Sequence, residues 1–140
     1  MAKAKPEALL ATIPLFEELS KKQLKQIANA SEIVDYMAAH SIVREGDIGD
    51  SFFVVLHGQA KVSTGGKTVN RLMPGDHFGE ISLLDGGPRT ATVVSETPMK
   101  MIMLSRKAFL KSVANDSEMA LALMKTMARM IRRVDRSLTR

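Results

Sequence analysis

Between residues 33 and 104 the chain is a succession of short β-branched and aliphatic runs, each closed by a turn residue. That rhythm restricts what it can fold into. The runs are Ser41-Ile42-Val43, Phe52-Phe53-Val54-Val55-Leu56, Ala60-Lys61-Val62, Thr68-Val69-Asn70-Arg71-Leu72, Ala91-Thr92-Val93-Val94 and Met99-Lys100-Met101-Ile102-Met103-Leu104. Gly46, Gly49, Gly58, Gly65, Gly66, Gly75 and Gly79 punctuate them. Many short strands with regular turn signals predict an antiparallel barrel or jelly roll.

The flanks carry helical periodicity instead. Residues 6 to 30 read as helix, interrupted at Ile13-Pro14-Leu15-Phe16, with Ser20 as an N-cap and Leu24, Ile27 and Ala28 on one face. After Leu104, Ser105 caps a helix over 106 to 113, and Asn115-Asp116-Ser117 opens a longer one. That last helix shows Met124, Met127, Ile131, Val134 and Leu138 at spacings of three and four, a stripe that predicts core or dimer packing. The expected class is therefore mainly β with flanking helices. An N-terminal helical segment over 1–32 precedes a jelly roll (double-stranded β-helix) over 33–104 and C-terminal helices over 105–140. No Gly or Pro stops the last helix before Arg140, so the chain is expected to be cut there, a following domain being one explanation.

Composition narrows the class. A chain of 140 residues with 45% hydrophobic content suits one domain with a packed core. No apolar run approaches the roughly 20 residues of a membrane span, and no signal-peptide pattern opens the chain. The lack of cysteine excludes disulfides, cysteine metal sites and cysteine nucleophiles, and suits the cytoplasm, the expected location. The net charge of +5 sits entirely in residues 125 to 140, where Lys125, Arg129, Arg132, Arg133, Arg136 and Arg140 face Asp135 alone. A neutral body with a basic tail is not the spread charge of a nucleic-acid binder. No helix-turn-helix follows, so direct nucleic-acid binding is not expected. A membrane-surface role for the tail is disfavoured by its lack of Trp or Phe. A solvated face is the plain reading of those charges.

The chemistry concentrates in Phe78-Gly79-Glu80-Ile81-Ser82-Leu83-Leu84-Asp85-Gly86-Gly87-Pro88-Arg89-Thr90-Ala91-Thr92-Val93. An acid and an arginine stand at the two ends of a glycine-flanked apolar loop. A sugar hydroxyl wants a carboxylate acceptor, and a phosphate wants a guanidinium and backbone N–H groups. A small molecule carrying both would fit. On its own the pair also reads as a surface ion pair across a turn.

The segment resembles the phosphate-binding cassette of the cyclic nucleotide-binding domain family. That pattern reads F-G-E-aliphatic-small-L-aliphatic, then a spacer, then P-R-small-A. Ile13-Pro14-Leu15-Phe16, Glu45-Gly46-Asp47, Val54-Val55-Leu56-His57-Gly58 and Pro74-Gly75-Asp76 stand in the family's order around it. The resemblance implies a cyclic nucleotide as ligand, with no further cofactor and no catalysis. Arg89 would hold the phosphate with its fork of donors, helped by backbone N–H groups near Ile81, Ser82, Thr90 and Ala91. Glu80 would accept from the ribose 2′-hydroxyl, and Gly79 would let the ligand approach the backbone. Val62 and Val69 would line the pocket. Thr90 leaves cGMP open, while cAMP is favoured. Met127-Ala128-Arg129 resembles a stretch of the long helix in the family's bacterial activators, where a Thr–Ser pair further along contacts adenine. Val134 and Asp135 stand in that register here, so Ile131 and Val134 are expected to cover the base, with Asp135 as acceptor for an amino group. Residues 117–140 would otherwise serve a homodimer or a neighbouring domain. The rival function is a constitutive dimerisation or docking module with a vestigial pocket.

Other signals fail. Gly65-Gly66-Lys67-Thr68 resembles the end of a Walker A loop, but Lys61 stands where its first glycine belongs, so a hairpin turn is expected. His40, His57 and His77 lack metal-ligand spacing and an evident carboxylate partner, so no metal site is expected. No Gly-x-Ser-x-Gly elbow occurs.

Overall fold

The computed structural model of the chain describes residues 6 to 138. It divides into a β unit over residues 30–109 and a helical unit made of the described residues before 30 and after 109.

The β unit holds eight strands and one short helix: β1 (Glu32–Tyr36), β2 (Ser41–Val43), β3 (Ser51–His57), β4 (Ala60–Thr64), β5 (Lys67–Leu72), β6 (His77–Phe78), then α3 (Glu80–Asp85), β7 (Thr92–Ser95) and β8 (Met99–Ser105). They form two four-stranded antiparallel sheets in the orders β1-β8-β3-β6 and β2-β7-β4-β5. This is the jelly-roll arrangement the strand rhythm predicts. Phe53 and Val55 of one sheet join Ala60, Leu72 and Val93 of the other in a core closed by Met99 and Met101. β3 is buried on both faces, which explains its unbroken apolar run. Gly65 and Gly66, at φ +59° and +80°, make the two-residue turn between Thr64 and Lys67, so the Walker-like string is a hairpin. β1 and the two-residue β6 have too weak a pattern to stand out in the sequence.

The helical unit contains α1 (Pro6–Leu10), a 3-10 turn (Pro14–Phe16) and α5 (Ser117–Leu138). α2 (Lys21–Ala30) and α4 (Arg106–Ala114) complete the helices. Ser20 caps α2 in a reciprocal box: its Oγ accepts from Gln23 N at 3.1 Å, and Gln23 Oε1 accepts from Ser20 N at 2.9 Å. Ser105 Oγ accepts from Ala108 N at 3.1 Å, and Asp116 Oδ1 from Met119 N at 3.0 Å, so both later caps form as well. Leu10, Ile13, Phe16 and Ile27 are buried with Met119 and Leu123 of α5, and α5 packs on the 3-10 turn. Arg129 ties the two segments further, reaching Glu18 at 2.9 Å and Glu17 at 3.6 Å.

The face of α5 that enters this core is not the whole predicted stripe. Met119, Leu123 and Thr126 are buried, whereas Met124, Ile131, Val134 and Leu138 are exposed. Leu123 and Met124 are adjacent, so the two faces lie about 100° apart around the helix. The core reading of the stripe therefore fails for those four residues. Helix α5 is described to Leu138, and Arg140 lies outside the described residues. No helix among the described residues is long and apolar enough to cross a membrane.

Candidate functional site

A cavity of about 280 Å³ opens in the β unit. Its walls come from β4 to β7, from α3 and from the loop that follows α3. Local sequence sets that geometry. Gly79 takes φ +97°, which turns the chain out of β6 directly into α3. Gly86, at φ +67°, ends α3 in a left-handed cap, with its N–H donating to Ser82 O at 2.8 Å. Asp85 Oδ1 accepts from Gly87 N at 2.7 Å, and Arg106 Nη2 donates to Leu84 O at 3.2 Å. The predicted apolar turn is thus a short helix pinned at its far end. The segment carrying Arg89, between α3 and β7, is laced to the loop before β3. Arg89 N donates to Asp47 O at 2.7 Å, Gly46 N to Arg89 O at 2.9 Å, and Gly49 N to Gly87 O at 3.0 Å.

Gly79, Glu80, Ile81 and Ser82 line the cavity from α3 and its cap, and Arg89, Thr90 and Ala91 from the opposite arm. The structure therefore brings together the seven expected residues of the cassette. Val62 also lines it; Val69 does not. Val69 is 61% exposed, and strand alternation puts its neighbours Asn70 and Leu72 on the cavity side instead. Asn70 stands opposite Val62 in the β4–β5 pairing and adds an amide that the sequence reading missed. The buried Leu72 was the available signal, since residues two apart share a face. Ile131, Val134 and Asp135 belong to α5 in the helical unit, where with Met130 and Leu138 they line a shallow groove of about 400 Å³.

Glu80 and Arg89 are not an ion pair with each other, which removes the simple turn reading. Arg89 is only 7% exposed. Its Nη2 donates to Ser51 Oγ at 3.2 Å, and that hydroxyl donates on to Asp50 Oδ1 at 3.2 Å. Nη1 is buried without a hydrogen-bond partner. Burial lowers the guanidinium's affinity for its proton, and the charge of Asp50 partly restores it. A buried donor left unmade costs about 1–3 kcal/mol, more when charged. Arg106 Nε is buried and unpartnered too, but of the two residues only Arg89 lines the cavity. The close fit depends on Gly79: a Cβ there would lie 2.7 Å from Arg89 Nη1 and 2.7 Å from Ser51 O. Gly49 serves the same purpose behind the arm, where a Cβ would lie 2.8 Å from Arg89 Nε.

Glu80 Oε1 meets His77 Nδ1 at 2.8 Å. This corrects the expectation that His77 lacks a carboxylate partner; the single turn from β6 into α3 brings residues three apart face to face. The hydrogen bond to Glu80 raises the His77 pKa above its ordinary 6.5, burial opposes this, and the charges of Glu80 and Asp76 reinforce it. Glu80 Oε2 is left to accept. No group of three or more His, Cys, Asp or Glu that could hold a metal occurs among the described residues. The arrangement can therefore receive an anion on Arg89 and a hydroxyl on Glu80 from one small ligand.

The comparisons agree with this geometry. The cyclic nucleotide-binding domain family matches residues 33–116. The chain is 36% identical over 110 residues to a cAMP-dependent protein kinase regulatory subunit of Schizosaccharomyces pombe, a match covering 78% of this chain and 27% of that protein. It is 35% identical over 112 residues to a cGMP-dependent protein kinase of Toxoplasma gondii, covering 80% of this chain and 11% of the kinase. The chain thus spans about a quarter or less of these relatives. Among solved structures, the N-terminal domain of a transcriptional regulator from Streptomyces coelicolor superposes with a TM-score of 0.85 at 28% identity, covering 94% of this chain and 96% of that one. The catabolite activator protein of Thermus thermophilus gives 0.69 at 28% identity, covering 90% and 62%. The chain belongs to the cyclic nucleotide-binding domain family.

Proposed function

We propose that this cyclic nucleotide-binding domain is a sensor that takes cAMP in preference to cGMP, performs no chemistry on it, and passes binding on through its C-terminal helix. The observation that carries the reading is the buried, unpartnered Nη1 of Arg89 in the same cavity as the Glu80 carboxylate. A cyclic phosphate supplies the missing acceptor, and the neighbouring ribose hydroxyl donates to Glu80. N–H groups in the first turn of α3 lack intrahelical partners and add neutral donors. The preference for cAMP is supported by the cAMP-dependent kinase subunits among its relatives. Ile131 and Val134 of the C-terminal helix are the proposed cover for the base, with Asp135 the proposed acceptor for an adenine amino group. Tighter binding to a closed state is what would shift the population.

A dimerisation or docking module with an inert pocket is the competing reading, favoured by the exposed Met124, Ile131, Val134 and Leu138. An inert pocket gives no reason to keep a buried guanidinium half satisfied. Titration calorimetry with cAMP and cGMP separates the two. Saturable binding of cAMP, tighter than that of cGMP, is expected; no heat with either nucleotide would leave only the docking reading.

A further inference from the structure

Three charged or titratable side chains line the cavity: Arg89, Glu80 and His77. The first two have evident duties toward a cyclic nucleotide, and the third does not. His77 is not free to be elsewhere. It pairs with Val54 across β3–β6, and the next residue, Phe78, stacks on Phe53 with ring centroids 4.8 Å apart. Its imidazole lies 5.9 Å from the Phe52 ring, centroid to centroid. The ring is thereby held where Nδ1 meets Glu80 Oε1 at 2.8 Å.

The charges facing it are few. Glu80 approaches from α3. Asp76 precedes it in the chain, but Asp76 Oδ2 accepts from Met73 N at 2.8 Å and is engaged in that turn. β3 contributes the uncharged Phe52 and Val54, β5 contributes the amide of Asn70, and Arg89 stands on the opposite arm. His40 and His57 do not line the cavity.

A site for a cyclic nucleotide has an electrostatic difficulty. The carboxylate that takes the hydroxyl shares a small cavity with the phosphate, and the two anions repel. Arg89 can balance one of them. Counting the phosphate and the three side chains that line the cavity, a neutral imidazole leaves one net negative charge and an imidazolium leaves none; Asp50 behind Arg89 and Asp76 beside His77 add negative charge outside it. A neutral His77 bearing its proton on Nδ1 still donates to Glu80, so orientation survives deprotonation while the charge does not.

We infer that His77 is part of the nucleotide site: it fixes the Glu80 carboxylate for the ribose hydroxyl and supplies a titratable positive charge that makes nucleotide affinity depend on pH. This rests on the nucleotide-binding reading above. The hydrogen bond to Glu80 raises the proton affinity of the ring above its ordinary value, partial burial opposes this, and the charges of Glu80 and Asp76 reinforce it. The phosphate holds the proton more tightly still, so binding takes up protons and weakens as pH rises.

The test is calorimetry of the full chain with cAMP and 2′-deoxy-cAMP between about pH 5.5 and 8.5, in buffers of different ionisation enthalpy. The dissociation constant for cAMP should rise about three- to tenfold across that range, as expected if binding shifts the imidazole by about half to one pH unit. A fraction of a proton should be taken up per nucleotide. His77→Asn keeps a donor near the Nδ1 position without the charge; its affinity should be flat with pH and its preference for cAMP over the deoxy analogue retained. His77→Phe should flatten the profile and lose much of that preference. A wild-type affinity independent of pH with no proton uptake overturns the inference, and so does a His77→Asn variant that keeps the wild-type slope. Full deoxy discrimination in His77→Phe overturns the positioning role. Proton uptake is read on the wild type, so the test stands if a variant fails to fold. No binding of cAMP at any pH would instead overturn the function itself, and this inference with it.

Discussion

Arg89 Nη2 donates to Ser51 Oγ at 3.2 Å while its buried Nη1 donates to nothing. One half of the guanidinium is anchored to β3, and the other half keeps an unmade hydrogen bond in a residue that lines the cavity. Anchoring fixes the fork before a ligand arrives, so little side-chain entropy remains to be lost on binding.

Replacing Arg89 by Ala should therefore remove binding and leave the fold. A partly desolvated phosphate that loses its countercharge costs about 2–5 kcal/mol, or about 30- to 4,000-fold in affinity. Calorimetry on a variant with an unaltered circular dichroism spectrum checks it. An unchanged dissociation constant would take Arg89 out of the site.

Glu80→Gln should weaken cAMP binding less than Arg89→Ala does, because the amide oxygen still accepts. The loss should fall on discrimination against 2′-deoxy-cAMP, which a competition assay reads as a ratio. Wild-type protein that binds the deoxy analogue equally well would remove the ribose role from Glu80.

Gly79→Ala should damage stability and binding together. At φ +97° a Cβ is strained, and this one would meet Ser51 O and Arg89 Nη1, both at 2.7 Å. Backbone strain of this kind costs about 1–3 kcal/mol. A lowered urea midpoint is expected, together with a weaker dissociation constant in the surviving folded protein.

The pairing of His77 with Glu80 also predicts how the free domain responds to pH. The folded-state pKa of His77 lies above its unfolded value of 6.5. The stabilisation is therefore complete below about pH 6.5 and is lost as pH rises through the raised folded value. Denaturant midpoints should fall over that window in the wild type, and that part of the fall should vanish in His77→Asn.

Ile131→Ser and Val134→Ser test the covering of the base. Both side chains are exposed, so stability should change little. Lost apolar burial, at about 25 cal/mol per Å², should weaken cAMP and cGMP by similar factors. If neither affinity moves, these side chains serve a protein partner instead.

Much of this was legible in the chain. The six apolar runs became strands because each has a strand's length and is closed by turn residues, β3 as an unbroken run buried on both faces, and Gly65-Gly66 made the tight turn expected. The charge pair alone also fitted a surface ion pair, and the cassette was legible because the whole string from Phe78 to Val93 resembles the family's pattern within the right surrounding order. The faults lie where one residue changes the face. Val69 and Asn70 differ by one position, and pleating sends them to opposite sides. Leu123 and Met124 differ by one position, and the helix turns them toward different surroundings. The contact of His77 with Glu80 crosses from a two-residue strand through a left-handed glycine into a helix. Periodicity covers no such junction.

The three backbone hydrogen bonds that tie residues 46–49 to residues 87–89 have a consequence for how relatives of this chain can diverge. Surface connections are ordinarily where lengths drift freely. The stretch from Arg44 to Asp50 has no such liberty, for an added residue would shift the donors and acceptors that hold the arginine arm in register. The Gly65-Gly66 hairpin tip lines no part of the cavity, and its tie to that stretch is an exposed hydrogen bond from Gly65 N to the Glu45 side chain, not to its backbone. Insertions should accumulate at that tip across descendants of a common ancestor, while the 44–50 stretch keeps its length.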